Sequence, residues 1–225
     1  MEPLLRDRSE AGSLLAKKLA VYADALDVLV LALPRGGVPV AYEITSRLHL
    51  PLDVLIVRKL GFPDNEEYAM GAISINNIFF INPEAAPYID RTDDRVQAII
   101  KKEQQELIRR NKRYRDDRPM PDLTQTHVIL VDDGVATGSS MKAAISVLKQ
   151  MNAKTIILAV PVLPVDTLME LQSLVNEVVY LSTPEPFTSI SYWYENFPQT
   201  DDAEVIYLLH HSDSRQNGKL FRSRS

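Results

Sequence analysis

The sequence predicts an α/β fold, a doubly wound and mostly parallel sheet with helices on both faces and a small hood. The first observation is a series of short apolar runs that begin near residues 28, 52, 127, 155 and 177. The runs at 28 and 127 are almost continuously apolar, as expected of strands buried on both faces. The second observation is that helical patterns separate most of these runs, and such alternation implies a parallel sheet.

The first half of the chain is predicted to alternate helix, strand, helix and strand. Its apolar periodicity indicates an amphipathic helix over 9–24, a strand over 28–33, a helix over 38–48 and a strand over 52–58. Two short β-type segments follow, and the pair Asn76-Asn77 between them favours a turn. We therefore expect a hairpin formed by residues 69–75 and 78–82.

The second half continues the alternation after a long charged helix over 92–114. Thr92 offers this helix an N-cap, and acidic residues follow in its first turn. Strands and helices then alternate, with strands over 127–132, 155–160 and 177–181 and helices over 140–151 and 165–175. A segment rich in proline and aromatic residues comes next, over 183–199, and a short helix is predicted over 201–210.

Composition favours a single domain over residues 1–211, with its hood in 183–211 and a polar, basic tail over 212–225 that we expect to be disordered. The chain has 225 residues, of which 45% are hydrophobic, enough for a full core. It has no cysteine, which excludes disulfides and thiol catalysis. No apolar stretch approaches a membrane span, so we expect a cytoplasmic protein without a membrane partner. The net charge of −5 argues against nucleic acid as a partner.

The most informative motif runs from Val128 to Ser140, Val-Ile-Leu-Val-Asp-Asp-Gly-Val-Ala-Thr-Gly-Ser-Ser. An apolar strand ends in the acid pair Asp132 and Asp133, and a loop of small residues over 136–140 then opens a helix. A helix N-terminus with glycine and hydroxyl groups is an anion site. Carboxylates beside such a site suit sugar hydroxyls, Mg²⁺ or a developing cation. The sequence lacks G-x-x-x-x-G-K-[ST] and G-x-G-x-x-G, which argues against two common phosphate-binding folds.

Two further motifs follow apolar strands. Pro34-Arg35-Gly36-Gly37 comes after the first strand; its two glycines permit a tight turn whose N–H groups form an anion nest, and Arg35 adds charge. Arg58 and Lys59 come at the predicted end of the next strand, where open α/β sheets bind their ligands. Each of these motifs could also be an ordinary turn or a solvated strand end.

The motif at 128–140 resembles the 5-phosphoribosyl-1-pyrophosphate (PRPP) signature of type I phosphoribosyltransferases, with Ser140 in place of the usual threonine. The resemblance extends over about residues 9–210 and includes an uncharacterised bacterial branch of the family. It implies that Asp132 and Asp133 hold the ribose hydroxyls as the catalytic pair. It also implies that Ala136, Thr137, Gly138, Ser139 and Ser140 bind the 5-phosphate, and that Arg35, Gly36, Gly37 and Lys59 bind pyrophosphate. Family members often carry a cis peptide in the pyrophosphate loop.

The same resemblance implies a Mg²⁺-dependent transferase that moves the phosphoribosyl group from PRPP to a nitrogenous small-molecule acceptor, expected to be a nucleobase. Mg²⁺ would be bound chiefly through the substrate, with Asp132 or Asp133 as its candidate protein ligand. Phe187, in the predicted hood, resembles the residue that stacks on the base in hypoxanthine-type enzymes. Those enzymes carry an aspartate where this chain has Ala136, and alanine cannot exchange a proton. The motif is closer to the adenine and orotate branches.

Two questions stay open at the level of sequence. The first is whether the protein is an enzyme or a non-catalytic PRPP-sensing regulator that binds RNA or a partner protein; a homodimer is also compatible with the family. The second is the basic run from Arg109 to Arg115, with Arg118 after it. It could be a solvated helix end, a cover over pyrophosphate or a contact for RNA.

Overall fold

The parallel sheet has five strands in the order β2-β1-β6-β7-β8, every neighbouring pair being parallel. A computed structural model describes residues 5–75, 78–82, 85–90 and 92–220 of the chain. The strands of this sheet are β1 (Val28–Ala32), β2 (Leu52–Val54), β6 (His127–Val131), β7 (Thr155–Val162) and β8 (Glu177–Ser182). The order reverses between β1 and β6, so the loops that follow these two strands flank the point where open α/β sheets bind ligands.

Helices cover both faces of this sheet, as predicted. They are α1 (Arg8–Lys18), α2 (Gly37–Leu48), α3 (Asp94–Arg115), α4 (Ser139–Gln150), α5 (Val165–Gln172) and α6 (Asp202–Leu220). Successive strand residues point to opposite faces. Val30 and Ala32 therefore join a core with α1, α2, α3 and α6, while Leu31 joins a core with α4 and α5. The predicted doubly wound class is confirmed.

A second, antiparallel sheet of three strands lies beside the main one, in the order β3-β4-β5. Its strands are β3 (Val57–Phe62), β4 (Asn65–Ser74) and β5 (Ile78–Ile81). Strands β4 and β5 pair as the predicted hairpin, whose turn at Asn76-Asn77 lies outside the described residues.

The single strand predicted over 52–58 is wrong, because the chain divides here between the two sheets. The N–H of Leu55 makes the last bond to β1, at the Ala32 carbonyl (3.0 Å), and β1 ends there. The next carbonyl, of Ile56, instead accepts a 2.7 Å bond from the Ser74 hydroxyl of β4. Lys59 consequently belongs to the small sheet and not to the end of a parallel strand.

The long helix α3 begins slightly later than predicted. Its N-cap is Asp93, whose carboxylate accepts the 2.8 Å bond from the N–H of Arg95. Thr92, the predicted cap, instead bonds the carboxylate of Asp90 through its N–H and its hydroxyl. In both arrangements a short acidic side chain accepts backbone N–H groups, and the negative charge of Asp93 also suits the N-terminal end of the helix dipole.

The last part of the chain has little regular structure until α6. Residues 183–199 contain one short 3₁₀ turn, Ser191–Trp193. Helix α6 extends to Leu220, past the predicted end at 210, so residues 212–220 are helical where the sequence predicted disorder; no proline interrupts them. Residues 221–225 lie outside the described residues, and the domain boundary at 211 stays a prediction. Among the described helices, none has both the length and the apolar character needed to cross a bilayer.

Candidate active site

The loop predicted to bind phosphate lies at the carboxyl end of β6, the central strand of the parallel sheet. Gly138 is the N-cap of α4 and has left-handed backbone angles (φ 74°), which favour glycine. The hydroxyl of Thr167 in α5 donates a 2.9 Å bond to the carbonyl of Ala136 and so fixes the loop. The hydroxyls of Thr137 and Ser139 lie 3.2 Å apart. Hydroxyls and free N–H groups thus meet at one helix N-terminus, as anion binding requires.

Two adjoining cavities lie beside this loop. The first, of about 210 Å³, is lined by residues 136–140 together with Asp132 and Ile190. The second, of about 330 Å³, is lined by Ser140, Lys59 and Lys102 among others. Because Ser140 borders both, a ligand with anionic groups at two positions could occupy them together.

The loop after β1 lies directly against the acid pair. The peptide between Pro34 and Arg35 is cis, the feature that the family resemblance implied. A Cβ atom at Gly36 would come within 2.0 Å of Asp133 Oδ2. A Cβ atom at Gly37 would come within 2.7 Å of a carbonyl oxygen of β6. Neither position has room for a side chain, and the backbone therefore approaches the carboxylates closely.

Asp133 is held by residues from both ends of the chain. Its Oδ2 atom accepts a 2.8 Å bond from Nε of Arg8, and both side chains are largely buried, 10% of Arg8 and 12% of Asp133 being exposed. The Arg8 guanidinium also donates a 2.7 Å bond to the carbonyl of Pro198 and lies 3.7 Å from the ring centre of Phe197. The Tyr194 hydroxyl donates a 2.6 Å bond to the Asp133 carbonyl. Of the two adjacent aspartates, Asp133 is therefore the one that forms an ion pair.

The two carboxyl groups are electrostatically unequal. Burial raises the pKa of Asp132 well above its usual range, and the neighbouring Asp133 charge raises this pKa further. Burial also raises the pKa of Asp133, but the Arg8 guanidinium opposes that increase. Only Asp132 of the two lines the 210 Å³ cavity. An unpaired acidic side chain in a cleft beside an anion loop is the kind of group that functional sites contain.

Arg35 extends from its loop towards α6, where the carboxylate of Asp202 is close to three arginine side chains. Asp202 lies 3.7 Å from Nη1 of Arg35, 3.4 Å from Nη1 of Arg109 and 3.2 Å from Nε of Arg113. Its Oδ1 atom, which is the oxygen nearest Arg35, also accepts a bond from the Tyr114 hydroxyl, and this bond helps to keep the pKa of Asp202 below its usual value. The predicted pyrophosphate loop and the basic end of α3 are therefore neighbours.

The basic run in α3 has no single role. The Arg115 guanidinium is buried, with 1% of its side chain exposed, and forms a two-pronged bond with Asp53 of β2. For this residue the solvated-end interpretation is wrong, since its charge anchors α3 to the sheet. Arg109 and Arg110 share the carboxylate of Glu106 near the surface. The cluster thus combines a structural ion pair with exposed cations.

Phe187 does not border the phosphate-loop cavity. It is half-buried and packs in a small apolar cluster around Val162 and Tyr194. The residue of the same segment that does border the cavity is Ile190, which also approaches Gly134, so that a Cβ at Gly134 would lie 2.6 Å from its side chain. The segment 183–199 is thus beside the site, and the part of it that comes closest differs from the one predicted.

Sequence reasoning missed Arg8, Tyr194, Ile190 and Asp202. No local pattern reveals them, because each contacts a residue far away in the chain; Arg8 and Asp133, for example, are 125 positions apart. The one available signal was Asp7, a good N-cap that fixes Arg8 as the first residue of α1. That signal predicts where the helix starts but not which way the arginine points.

The parallel sheet, the acid pair beside its switch point and the glycine- and hydroxyl-containing loop that opens α4 together define an α/β domain with a candidate anion site at the carboxyl edge of its sheet. A model of the phosphoribosyl transferase domain family matches residues 9–185. The chain belongs to this family.

Similar proteins agree with this assignment. Two relatives from Mycobacterium tuberculosis, provisionally named phosphoribosyl transferases, are each 40% identical over 219 residues, 96% of this chain. The match covers 49% of either relative, so the chain spans about half the length of these curated proteins. The crystal structure of TT1426 from Thermus thermophilus is 39% identical and has a TM-score of 0.83, covering 92% of this chain and 98% of that one.

Proposed function

We propose that this protein is a Mg²⁺-dependent phosphoribosyltransferase that transfers the phosphoribosyl group of PRPP to a nitrogenous acceptor, a nucleobase, and releases pyrophosphate. The observation that carries the proposal is the meeting of three groups of residues at one site. Asp132 and the α4 loop line one cavity, which shares Ser140 with a second, and the glycine loop after β1 lies directly against the acid pair. Membership of the phosphoribosyl transferase domain family supports the same reaction.

In this proposal each part of the donor has its own binding group. Residues 136–140 hold the 5-phosphate, with the hydroxyls of Thr137, Ser139 and Ser140 and the N–H groups of α4 as donors. Asp132, which lines the cavity, accepts from the ribose hydroxyls. Arg35, the backbone of the two glycines after it and Lys59 hold the pyrophosphate, because cations and N–H nests suit anionic oxygens.

The reaction forms a bond between a ring nitrogen of the acceptor and the anomeric carbon of the ribose. The bond from that carbon to the pyrophosphate oxygen breaks, and its electron pair leaves with pyrophosphate, which can take up the proton lost from the acceptor's ring N–H. Positive charge develops on the ribose ring in the transition state. Asp132 and Asp133 stabilise that charge, and they do so more strongly in a site from which water is excluded.

A magnesium ion fits the residues present. Mg²⁺ prefers oxygen ligands and is usually bound by one or two carboxylates together with substrate phosphates. Asp132 supplies a carboxylate that lines the cavity, whereas the Asp133 carboxylate is already paired with Arg8. Asp132 is therefore the residue that would hold the ion, which when bound would neutralise charge on the leaving pyrophosphate.

The acceptor is expected on the side of the site formed by 183–199. Ile190 lines the cavity beside the phosphate loop, which supports an apolar surface for a planar base. The stacking role predicted for Phe187 remains a proposal. Ala136 has no exchangeable proton, so proton transfer to a 6-oxopurine would need another group. A homodimeric state and a cytoplasmic location stay predictions from the sequence.

Thermal unfolding with PRPP and Mg²⁺ tests donor binding. A ligand that binds only the folded state increases the free energy of unfolding by mass action, by about 2.7 kcal/mol at a hundred times its Kd, and so raises the melting temperature. A screen of nucleobases with PRPP, read by pyrophosphate release, then tests transfer. Donor binding without turnover on any base would instead indicate a PRPP-sensing regulator. If the melting temperature of the folded protein does not change at saturating PRPP, the proposed donor site is refuted.

A further inference from the structure

We propose that Arg8 is a positioning residue for phosphoribosyl transfer, which sets the orientation of Asp133 and ties it to the segment that follows the last strand. The inference rests on the proposed function and adds to it a residue outside the recognised motif. Arg8 lies at the start of α1, before the region that the family model matches. Arg8 is not among the described residues that line either cavity. Its effect is therefore indirect, and Asp133 is the member of the acid pair that it contacts.

The first step of the argument is geometric. Oδ2 of Asp133 is the atom that accepts the 2.8 Å bond from Nε of Arg8. It is also the atom that a Cβ at Gly36 would approach to 2.0 Å. The oxygen therefore lies between the guanidinium and the backbone of the pyrophosphate loop. Without Arg8, the carboxylate would lose the contact that keeps it turned in this direction.

The second step concerns the backbone of the acid pair. The Tyr194 hydroxyl bonds the Asp133 carbonyl at 2.6 Å, and the Arg8 guanidinium bonds the Pro198 carbonyl at 2.7 Å. Both contacts come from the segment 183–199. Phe197 packs under the guanidinium at 3.7 Å and is itself 4.8 Å, ring centre to ring centre, from Tyr194. Arg8 thus joins the acid pair to the segment expected to meet the acceptor.

The third step concerns charge. Two adjacent carboxylates repel each other, and a buried charge is costly unless it is paired. Arg8 pairs one of them with little solvent access, 10% of its side chain being exposed. The acid pair therefore presents one uncompensated carboxylate, that of Asp132, to the cavity. This arrangement gives the two acids different roles although they are adjacent in sequence.

Arginine is needed because its contacts are simultaneous. The planar guanidinium bonds a carboxylate through Nε, a carbonyl through Nη1 and an aromatic ring through its face. A lysine ammonium is a point charge on a flexible stem and cannot reproduce that fixed geometry. Arg8→Lys should keep the charge near Asp133 but lose its orientation.

Steady-state kinetics of Arg8→Met and Arg8→Lys, measured by pyrophosphate release, test the proposal. We expect kcat to fall at least about tenfold in Arg8→Met, with a smaller loss in Arg8→Lys, because a misplaced group at the reacting centre costs rate. The KM for PRPP should change by less than about threefold, since the phosphate contacts remain. Arg47→Met, at an exposed arginine of α2, is the matched control and should behave as wild type.

A double-mutant cycle separates positioning from general structural support. If Arg8 acts through Asp133, Arg8→Met should lower kcat much less in an Asp133→Asn background than in the wild-type background. Thermal melts establish that each variant is folded, and Arg8→Lys replaces Arg8→Met in the cycle if the latter is not. Equal losses in both backgrounds, a change confined to KM, or wild-type kcat in a folded Arg8→Met would overturn the positioning role. Absence of turnover in the wild-type protein would instead refute the transferase function itself.

Discussion

Replacing each member of the acid pair by asparagine should change stability in opposite directions. Asp133 forms a largely buried ion pair with Arg8, and Asp133→Asn leaves the guanidinium facing an uncharged partner. Asp132 faces the cavity, and both its burial and its neighbour disfavour the charged form. Asp132→Asn removes that unfavourable charge and keeps the Oδ1 atom that accepts the 2.9 Å bond from the Asp133 N–H.

The expected magnitudes follow from these environments. Loss of a hydrogen bond to a charged partner costs about 1.5–3 kcal/mol, and the remaining amide oxygen of Asp133→Asn places this variant at the lower end of that range. Replacing a functional residue whose charge destabilises the fold should increase the free energy of unfolding by about 0.5–2 kcal/mol, the usual size of a stabilising substitution. One kcal/mol changes Tm by about 2–4 °C in a domain of 150–250 residues. We therefore expect Asp133→Asn to melt several degrees below the wild-type protein and Asp132→Asn a few degrees above it.

Thermal and urea unfolding at pH 7 without ligand measure both effects, with Asp64→Asn, an exposed change, as the control. The direction of the pKa shift of Asp132 also predicts that the stability difference depends on pH. Because the pKa of Asp132 is raised in the folded state, its ionisation destabilises the protein at neutral pH. The advantage of Asp132→Asn should shrink as the pH falls through the raised pKa of Asp132, and it should vanish below about 4, where this carboxyl becomes protonated in the unfolded state as well. A lower Tm for Asp132→Asn than for wild type would refute the reasoning.

Three more predictions concern neighbouring features. Gly36→Ala should lose about 1–3 kcal/mol of stability and also donor binding, whereas Gly12→Ala, which meets a carbonyl at 2.4 Å in the contact of α1 with α2, should lose stability alone; melts with and without PRPP decide. Arg109→Ala with Arg113→Ala should weaken PRPP binding several-fold, because Asp202 would lose two of its cations and compete more strongly for Arg35. The loss should shrink at high salt, and PRPP titrations that match the wild-type protein would contradict this prediction. A loss of RNA binding in a shift assay, with unchanged PRPP binding, would instead favour an RNA contact. Glu106→Gln should cost about 0.5 kcal/mol at pH 7, because the bond from Arg109 lowers the pKa of Glu106 to about 2; this deficit should vanish as the pH falls from about 4.5 to 2, and a deficit independent of pH would contradict it.

The sheet and the motif loops could be predicted because their signals are local. Strands β1, β6, β7 and β8 have apolar centres, and the motif 128–140 contains its own strand, loop and helix start. The predicted element boundaries were wrong where the length of a strand depends on its pairing partner and not on its own sequence. The run 52–58 has a continuous β pattern, yet β1 ends opposite Val54 and leaves the rest of the run to pair elsewhere.

The environment of the acid pair could not be predicted for a similar reason. Asp132 and Asp133 look equivalent in sequence, and their difference depends on the direction of one arginine in α1 and one tyrosine after β8. Likewise, Arg109 and Arg115 lie in one basic run, but only the second reaches Asp53 and becomes buried. Sequence patterns predict that such charges exist, whereas their partners depend on how distant elements pack.

The crossing of the chain between the two sheets has a consequence for how the protein unfolds. Leu55 and Ile56 connect β2 with β3, and both are fully buried, Leu55 in the core beneath α4 and Ile56 in the core on the opposite face. The small sheet therefore has no exposed hinge on this side, and Lys59 cannot be separated from the parallel sheet without opening both cores. Hydrogen exchange should therefore show β3 and β2 opening together, as one cooperative unit.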